Sequence, residues 1–315
     1  MGQEIQTDLT YFITGPTACG KTQTAVELAK LIDGEVISAD SAQIYRHMNI
    51  GTAKPTIEDM QGIRHHLIDE LDPDAEYSAA MFQRMARAAI DDIKARGKTP
   101  IIAGGSGFYL NALLYDTSFI AKEPDKNTRE KYIQISEDYG NMYLHSLLRA
   151  KDPESAAVIH ANNVRRVVRA LVFYDETGMK LSEHNFEEES KKQIPENTRL
   201  FILYMDRPLL YERIGNRVED MFGKGLADEV QGLLDMGYDE RLTSMQALGY
   251  KETIDYLKNR CTLDEAKDKI KRATRHFAKR QLTWFRHKCA GVWMDMNDLH
   301  LIHLIDMAKT SNIWK

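Results

Sequence analysis

The chain has 315 residues, with 42 Lys plus Arg against 47 Asp plus Glu and a formal net charge of −5. That length suits a large α/β core with an insertion, or two domains, and a hydrophobic content of 43% is ordinary for a globular protein in water. Mild acidity excludes indiscriminate nucleic-acid binding by the whole surface, and no apolar run approaches the ~18 residues needed to cross a bilayer.

The N-terminal MGQEIQTD is polar and lacks an apolar signal core, and Gln6 stands where a myristoylation signal starting at Gly2 wants Ser or Thr. Leu9–Gly15 reads as a buried strand and breaks into Gly15-x-x-x-x-Gly20-Lys21-Thr22, followed by a helix from Thr22 to Ile32. A strand, this loop and a helix in that order form a phosphate cradle. Its glycines let the backbone aim N–H groups at one anion, Lys21 adds a positive charge, and the Thr22 hydroxyl can hold Mg2+. The helix dipole adds its positive end at the same spot. Cys19, in this loop, together with Cys261 and Cys289, fits neither a disulfide framework nor a zinc spacing, so a reducing cytoplasm is the expected location.

A second strand, Glu35–Asp40, is expected to end in the same crevice, because ligands of parallel sheets sit beyond the carboxyl ends of strands. Asp40 therefore reads either as a general base or metal ligand beside the phosphate, or as an ordinary turn acid. His66–Asp69 reads as a third strand, and His65-His66 lacks a third ligand at metal spacing, which favours a structural role. A helix from about Ser78 to Arg96 precedes the strand Thr99–Gly105, and the Gly104-Gly105-Ser106-Gly107 turn allows close backbone approach. Phe108, Tyr109 and Tyr115 read as core. The alternation predicts a doubly wound parallel sheet.

Strand signals then stop. Thr128–Tyr139 and Val164–Thr177 read as amphipathic helices, and RLFILYMD at Arg199–Asp206 as a further core strand. The expected fold is thus an α/β P-loop core, residues 1–115 and 199–315, with a helical insertion at 116–198. Arg213 and Arg217 share a helix face and suit either phosphate or solvent. Lys267 to Lys288 is a concentrated basic segment with Asp268 as its single acid, near a last strand candidate at Gly291–Met296. On a helix, Arg272, Arg275, Lys279 and Arg286 share one face and Ile270, Leu282 and Phe285 another, a row that suits an RNA backbone.

GPTACGKT, ISADSAQIYRHMNIGTAKP, HHLID, YSAAMF, GGSGFYLNALL, DRPLLYERIGNRVEDMFGKGLADEV, MQALGYKE and FAKRQLTWFR stand in this order over nearly the whole chain. Together they resemble the tRNA dimethylallyltransferase (tRNA isopentenyltransferase) family, of the bacterial type. The resemblance implies transfer of a dimethylallyl group from its diphosphate to N6 of adenosine 37 in the tRNA anticodon loop. It implies diphosphate binding by Gly15, Pro16, Thr17, Ala18, Cys19, Gly20, Lys21 and Thr22, with Mg2+ on Thr22. Asp40 would take the N6 proton, while Thr17 and Arg217 would stabilise the departing diphosphate.

By the same resemblance the tRNA-binding residues are Asp40, Ser41, Ala42 and Gln43, with Ser106 at the channel neck. Arg165, Arg166, Val167, Val168 and Arg169 in the insertion join them, as do Gln246, Gly249, Tyr250 and Lys251. Lys279, Arg280, Gln281, Trp284 and Arg286 complete the set. The partners are then a tRNA anticodon stem-loop and dimethylallyl diphosphate, with no membrane and no obligatory protein partner. Cys19 departs from the usual Ser and brings a thiol to the phosphate site, so sensitivity to thiol reagents is expected. Rival readings are an adenylate isopentenyltransferase, a P-loop small-molecule kinase and a non-catalytic RNA-binding protein.

Overall fold

A computed structural model describes residues 8–117, 126–190 and 193–297. The Gly2–Gln6 segment and the last residues of the chain lie outside that range. There are two compact units, Met1–Leu114 with Pro195–Lys315, and Tyr115–Ile194.

The larger unit opens with β1 (Thr10–Thr14), α1 (Lys21–Ile32), β2 (Gly34–Ser38), α2 (Ile57–Met60) and β3 (His65–His66). It continues through α3 (Ala79–Ala95), β4 (Thr99–Gly104) and α4 (Gly107–Leu114). The smaller unit is wholly helical in its described residues: α5 (Lys126–Tyr139), α6 (Asn141–Lys151), α7 (Pro153–Val158), α8 (Val164–Thr177) and α9 (Leu181–Ser190). The chain then returns to the larger unit as β5 (Thr198–Tyr204), α10 (Arg207–Gly223), α11 (Leu226–Asp235), α12 (Tyr250–Leu257), α13 (Leu263–Lys288) and β6 (Val292–Asp295).

All six strands are parallel, in the order β3-β2-β4-β1-β5-β6. TYFIT, GEVIS and TRLFILY are buried nearly end to end, as expected of strands covered on both faces. The expected strand at His66–Asp69 is instead the two-residue β3, because Leu67 and Asp69 take positive φ of 61° and 57° and turn the chain away from the sheet. One hydrophobic core joins Ile13, Leu28, Ile101, Phe201, Ile214 and Ala278, and so ties α1, α10 and α13 to the sheet. Burying each large side chain there contributes about 1.5–3 kcal/mol. The smaller unit has its own core of Leu144, Leu148, Val167, Val168 and Leu171.

Local signals set the helix limits. Ser78 caps α3 by accepting from Met81 N, and Thr262 with Glu265 forms a reciprocal capping box at the start of α13. Arg286, His287 and Lys288 meet the negative end of the α13 dipole. At the far edge of the sheet Glu35 is buried. Arg96 Nη2 donates to its Oε2 at 2.7 Å, and His66 Nε2 lies 2.7 Å from the same oxygen. The histidine pair is therefore committed, through His66, to holding the edge strand. Tyr109 is buried and stacks on Phe82 at 4.7 Å between centroids, whereas Phe108 is 52% exposed and is not core.

Candidate active site

Three loops meet beyond the carboxyl ends of β1, β2 and β4. The β1–α1 loop curls through Gly15 (φ 148°), Ala18 (φ 65°) and Gly20 (φ 93°). A Cβ on Gly15 would stand 2.4 Å from the Leu203 carbonyl oxygen, so no larger residue fits where the loop passes β5. Lys21 Nζ donates to the Pro16 carbonyl at 2.7 Å, and Arg217 Nη1 of α10 donates to Thr17 Oγ1 at 3.4 Å. Burial pulls the pKa of both cations down. Nearby Arg217 adds to this at Lys21, while the Asp40 charge opposes it at both. Two desolvated cations beside a loop of this curvature favour a polyanion.

Asp40 follows β2, and its Oδ1 accepts from Ala42 N at 2.9 Å. Asp40 thus closes a turn, and it also lines the cavity described next. Gln43 is tied inward, accepting from Ser38 Oγ at 2.9 Å and donating to the Thr52 and Ala53 carbonyls at 3.4 and 3.3 Å.

A cavity of about 600 Å3 in the larger unit is lined by Thr17, Asp40, Ser41, Ala42, Ser106, Arg217, Gln246, Gly249, Lys251 and Arg280. Ile214, Val218 and Met221 of α10 and Ile270 and Phe277 of α13 give it an apolar portion. Sequence reasoning did not find these residues. The signal was the 214–218–221 spacing, which sets them on one helical face beside Arg217.

Gln281, expected on RNA, lines the same cavity. It is 6% exposed, accepts from Thr17 N at 2.9 Å and donates from Nε2 to the Gly105 carbonyl at 2.8 Å. It thereby ties the phosphate loop to the β4–α4 turn. Gly105 is required for this, since a Cβ there would stand 2.3 Å from Nε2. Trp284 is half-buried and packs its ring against Gly107.

Tyr250 is fully buried and donates to Glu229 Oε1 at 2.6 Å, and Gly249, its neighbour at the start of α12, is buried too. Val167 and Val168, expected on RNA, are core residues of the smaller unit, because a helix cannot present five consecutive residues on one face. Their neighbours Arg165, Arg166 and Arg169 on α8 are exposed. Cys19 is fully buried and burial raises its pKa, so the expected reactive thiol at the phosphate site is not there: the loop turns the side chain into the core.

The basic α13 divides by face. Lys267 Nζ and Lys271 Nζ are held by Glu219 at 2.7 and 2.5 Å, and Arg275 lies over the Tyr211 ring. Lys279, Arg280 and Arg286 are exposed. For Mg2+, Thr22 and Asp40 supply oxygen donors of the kind this ion takes a few at a time, leaving its other positions to phosphate and water. Among the described residues there is no group of three or more His, Cys, Asp or Glu able to hold a metal. The donor set fits an ion carried chiefly by a bound diphosphate. Among the same residues no helix is long and apolar enough to cross a membrane.

A glycine-rich loop at the crossover of a parallel sheet, with a lysine, an arginine and an aspartate around it, defines a P-loop α/β protein built to bind phosphates. The chain belongs to the IPP transferase family, whose model matches residues 43–288, and it is an enzyme of the transferase class. It is 51% identical over 284 residues to a tRNA dimethylallyltransferase of Exiguobacterium sp., covering 90% of this chain and 89% of that one. The crystal structure of the full-length tRNA isopentenylpyrophosphate transferase of Bacillus halodurans is similar with a TM-score of 0.71 and 43% identity, covering 97% and 95% of the two chains. A eukaryotic dimethylallyltransferase captured acting on tRNA is similar with a TM-score of 0.79 and 30% identity, covering 96% of this chain and 77% of that one.

Proposed function

We propose that this protein transfers a dimethylallyl group from dimethylallyl diphosphate to N6 of adenosine 37 in the tRNA anticodon loop, releasing diphosphate. The observation that carries this reading is the single cavity where Thr17 and Arg217 of the phosphate site meet Asp40 and the exposed Arg280 of α13. The allylic C–O bond breaks as the N6–C bond forms. The leaving diphosphate gathers charge beside the phosphate loop, where Lys21 and Arg217 are already held on that loop through the Pro16 carbonyl and the Thr17 hydroxyl, which reduces the reorganisation needed as the bond breaks. Asp40 accepts the N6 proton, a step worth about 10²–10⁴ in rate. When bound on Thr22, Mg2+ supplies further neutralisation of the diphosphate.

The apolar face of Ile214, Val218, Met221 and Ile270 suits the five-carbon tail, whose burial is worth about 4 kcal/mol at ~0.8 kcal/mol per carbon. A stacked base must be extruded to enter such a cavity, at a few kcal/mol. Lys279, Arg280 and Arg286 on α13 and Arg165, Arg166 and Arg169 on α8 offer exposed charge to the RNA backbone. The reaction belongs in the cytoplasm, with the tRNA. The test is to incubate the protein, Mg2+, labelled dimethylallyl diphosphate and unmodified tRNA and to locate the labelled nucleotide. Label on the adenosine beside the anticodon supports the reading. No label, with ATP turned over in the absence of prenyl diphosphate, supports a kinase instead.

A further inference from the structure

Glu229 on α11 has no part in the chemistry described above, yet it is the most heavily used acceptor near the cavity. Its Oε2 accepts from the Asn49 and Ile50 amides at 2.9 and 2.8 Å. Its Oε1 accepts from the Gly51 amide at 3.2 Å and from the Tyr250 hydroxyl at 2.6 Å. Three successive N–H groups converging on one carboxylate make an anion-holding concavity, filled here by the protein's own side chain. Hydrogen bonds to a charged acceptor are roughly twice as strong as neutral ones.

The same segment is fastened further along. Gln43 Nε2 holds the Thr52 and Ala53 carbonyls, and Ser38 Oγ holds Gln43 Oε1. Asp40 lies in sequence between Ser38 and Gln43, and the Tyr250 ring rests against Gly51. Asp40, Ser41, Gly51, Thr52 and Tyr250 all line the cavity.

We infer that Glu229 is a positioning residue for the transfer: by fixing the 49–51 turn and the Tyr250 phenol, it sets the cavity wall that presents the acceptor nucleotide to Asp40. This rests on the proposed function. Glu229 makes none of its hydrogen bonds to the phosphate loop or to Arg217, so its loss acts on the acceptor side and spares the diphosphate side. Glu229→Gln keeps the shape and one carbonyl oxygen, whereas Glu229→Ala removes all four bonds.

The experiment measures single-turnover transfer to an anticodon stem-loop RNA at saturating dimethylallyl diphosphate, for the full-length protein and both variants. Inorganic diphosphate affinity and Tm are measured in parallel. The expected result is a rate lower by about tenfold for Glu229→Gln and about a hundredfold for Glu229→Ala, with diphosphate Kd held within about twofold. Folded variants that transfer at the wild-type rate overturn the inference. So does a loss of diphosphate affinity parallel to the loss of rate, which marks collapse of the whole cavity. Where Glu229→Ala does not fold, Glu229→Gln decides. A wild-type protein that labels no RNA overturns the proposed function and this inference together, whereas equal rates in wild type and variants overturn this inference alone.

Discussion

Replacing Gln281 by leucine keeps most of its volume and removes both of its hydrogen bonds. The Thr17 amide loses an acceptor at 2.9 Å and the Gly105 carbonyl loses a donor at 2.8 Å. A buried polar group stripped of its partner costs about 1–3 kcal/mol. The Gly105 carbonyl is buried and takes the upper part of that range, while the Thr17 amide borders the cavity, where water reaches it, and takes the lower part. The sum is about 3–4 kcal/mol of folding stability, large for one substitution. Urea unfolding reads it as a lower midpoint at unchanged slope. Diphosphate affinity falls as well, because the phosphate loop is no longer held at Thr17. Gln281→Glu separates the two bonds: it still accepts from the Thr17 amide but faces the Gly105 carbonyl with an oxygen, and so destabilises at least as much as leucine. A Gln281→Leu protein that loses under about 0.5 kcal/mol and binds diphosphate normally would refute the tie between the two loops.

Asp40→Asn keeps tRNA affinity and slows single-turnover transfer by about 10²–10⁴; an unchanged rate removes Asp40 as the base. Lys279→Ala and Arg280→Ala each reduce the slope of log affinity against log salt by about 0.7–0.9. Lys267→Ala and Lys271→Ala leave that slope alone and change stability little, because Glu219 already holds both lysines at the surface; a loss of slope there overturns the division of α13 into two faces. The hydrogen bond from Arg96, assisted by His66, holds the Glu35 carboxyl down from 4.5 to about 2. A carboxylate lowered in the folded state stabilises fully above its unfolded pKa, so about 3 kcal/mol is present near neutrality and lost as pH falls from about 5 to about 2. Glu35→Gln is therefore expected to flatten stability against pH in that window, and an unaltered acid limb in denaturation experiments counts against it. Thiol titration of the native protein should modify the half-buried Cys261 and Cys289 before the buried Cys19, with transfer activity retained; early modification of Cys19 contradicts its burial.

Much of the fold was legible because its signals are local. Val164–Thr177 is helical over the span its apolar period predicts, and TYFIT and RLFILY are strands because β-branched and aromatic residues run unbroken between turn signals. The phosphate loop was legible for the same reason, with strand, glycines, lysine and helix all within a few turns of chain. Exposure was not legible. In the Arg165–Arg169 run the arginines face water while Val167 and Val168 enter a core, and Cys19 is buried in the core although it belongs to the phosphate loop.

Composition, period and motif therefore determined on their own that this is a P-loop α/β chain with a helical insertion and a basic late helix, since each depends on residues close in sequence. Tertiary structure alone decided what the polar residues do. Gln281 reaches an amide 264 positions away, and Glu229 reaches three amides 178 to 180 positions away. A hydrogen bond is specified by distance and direction in space, and no local pattern encodes the partner until the sheet has brought the two segments together.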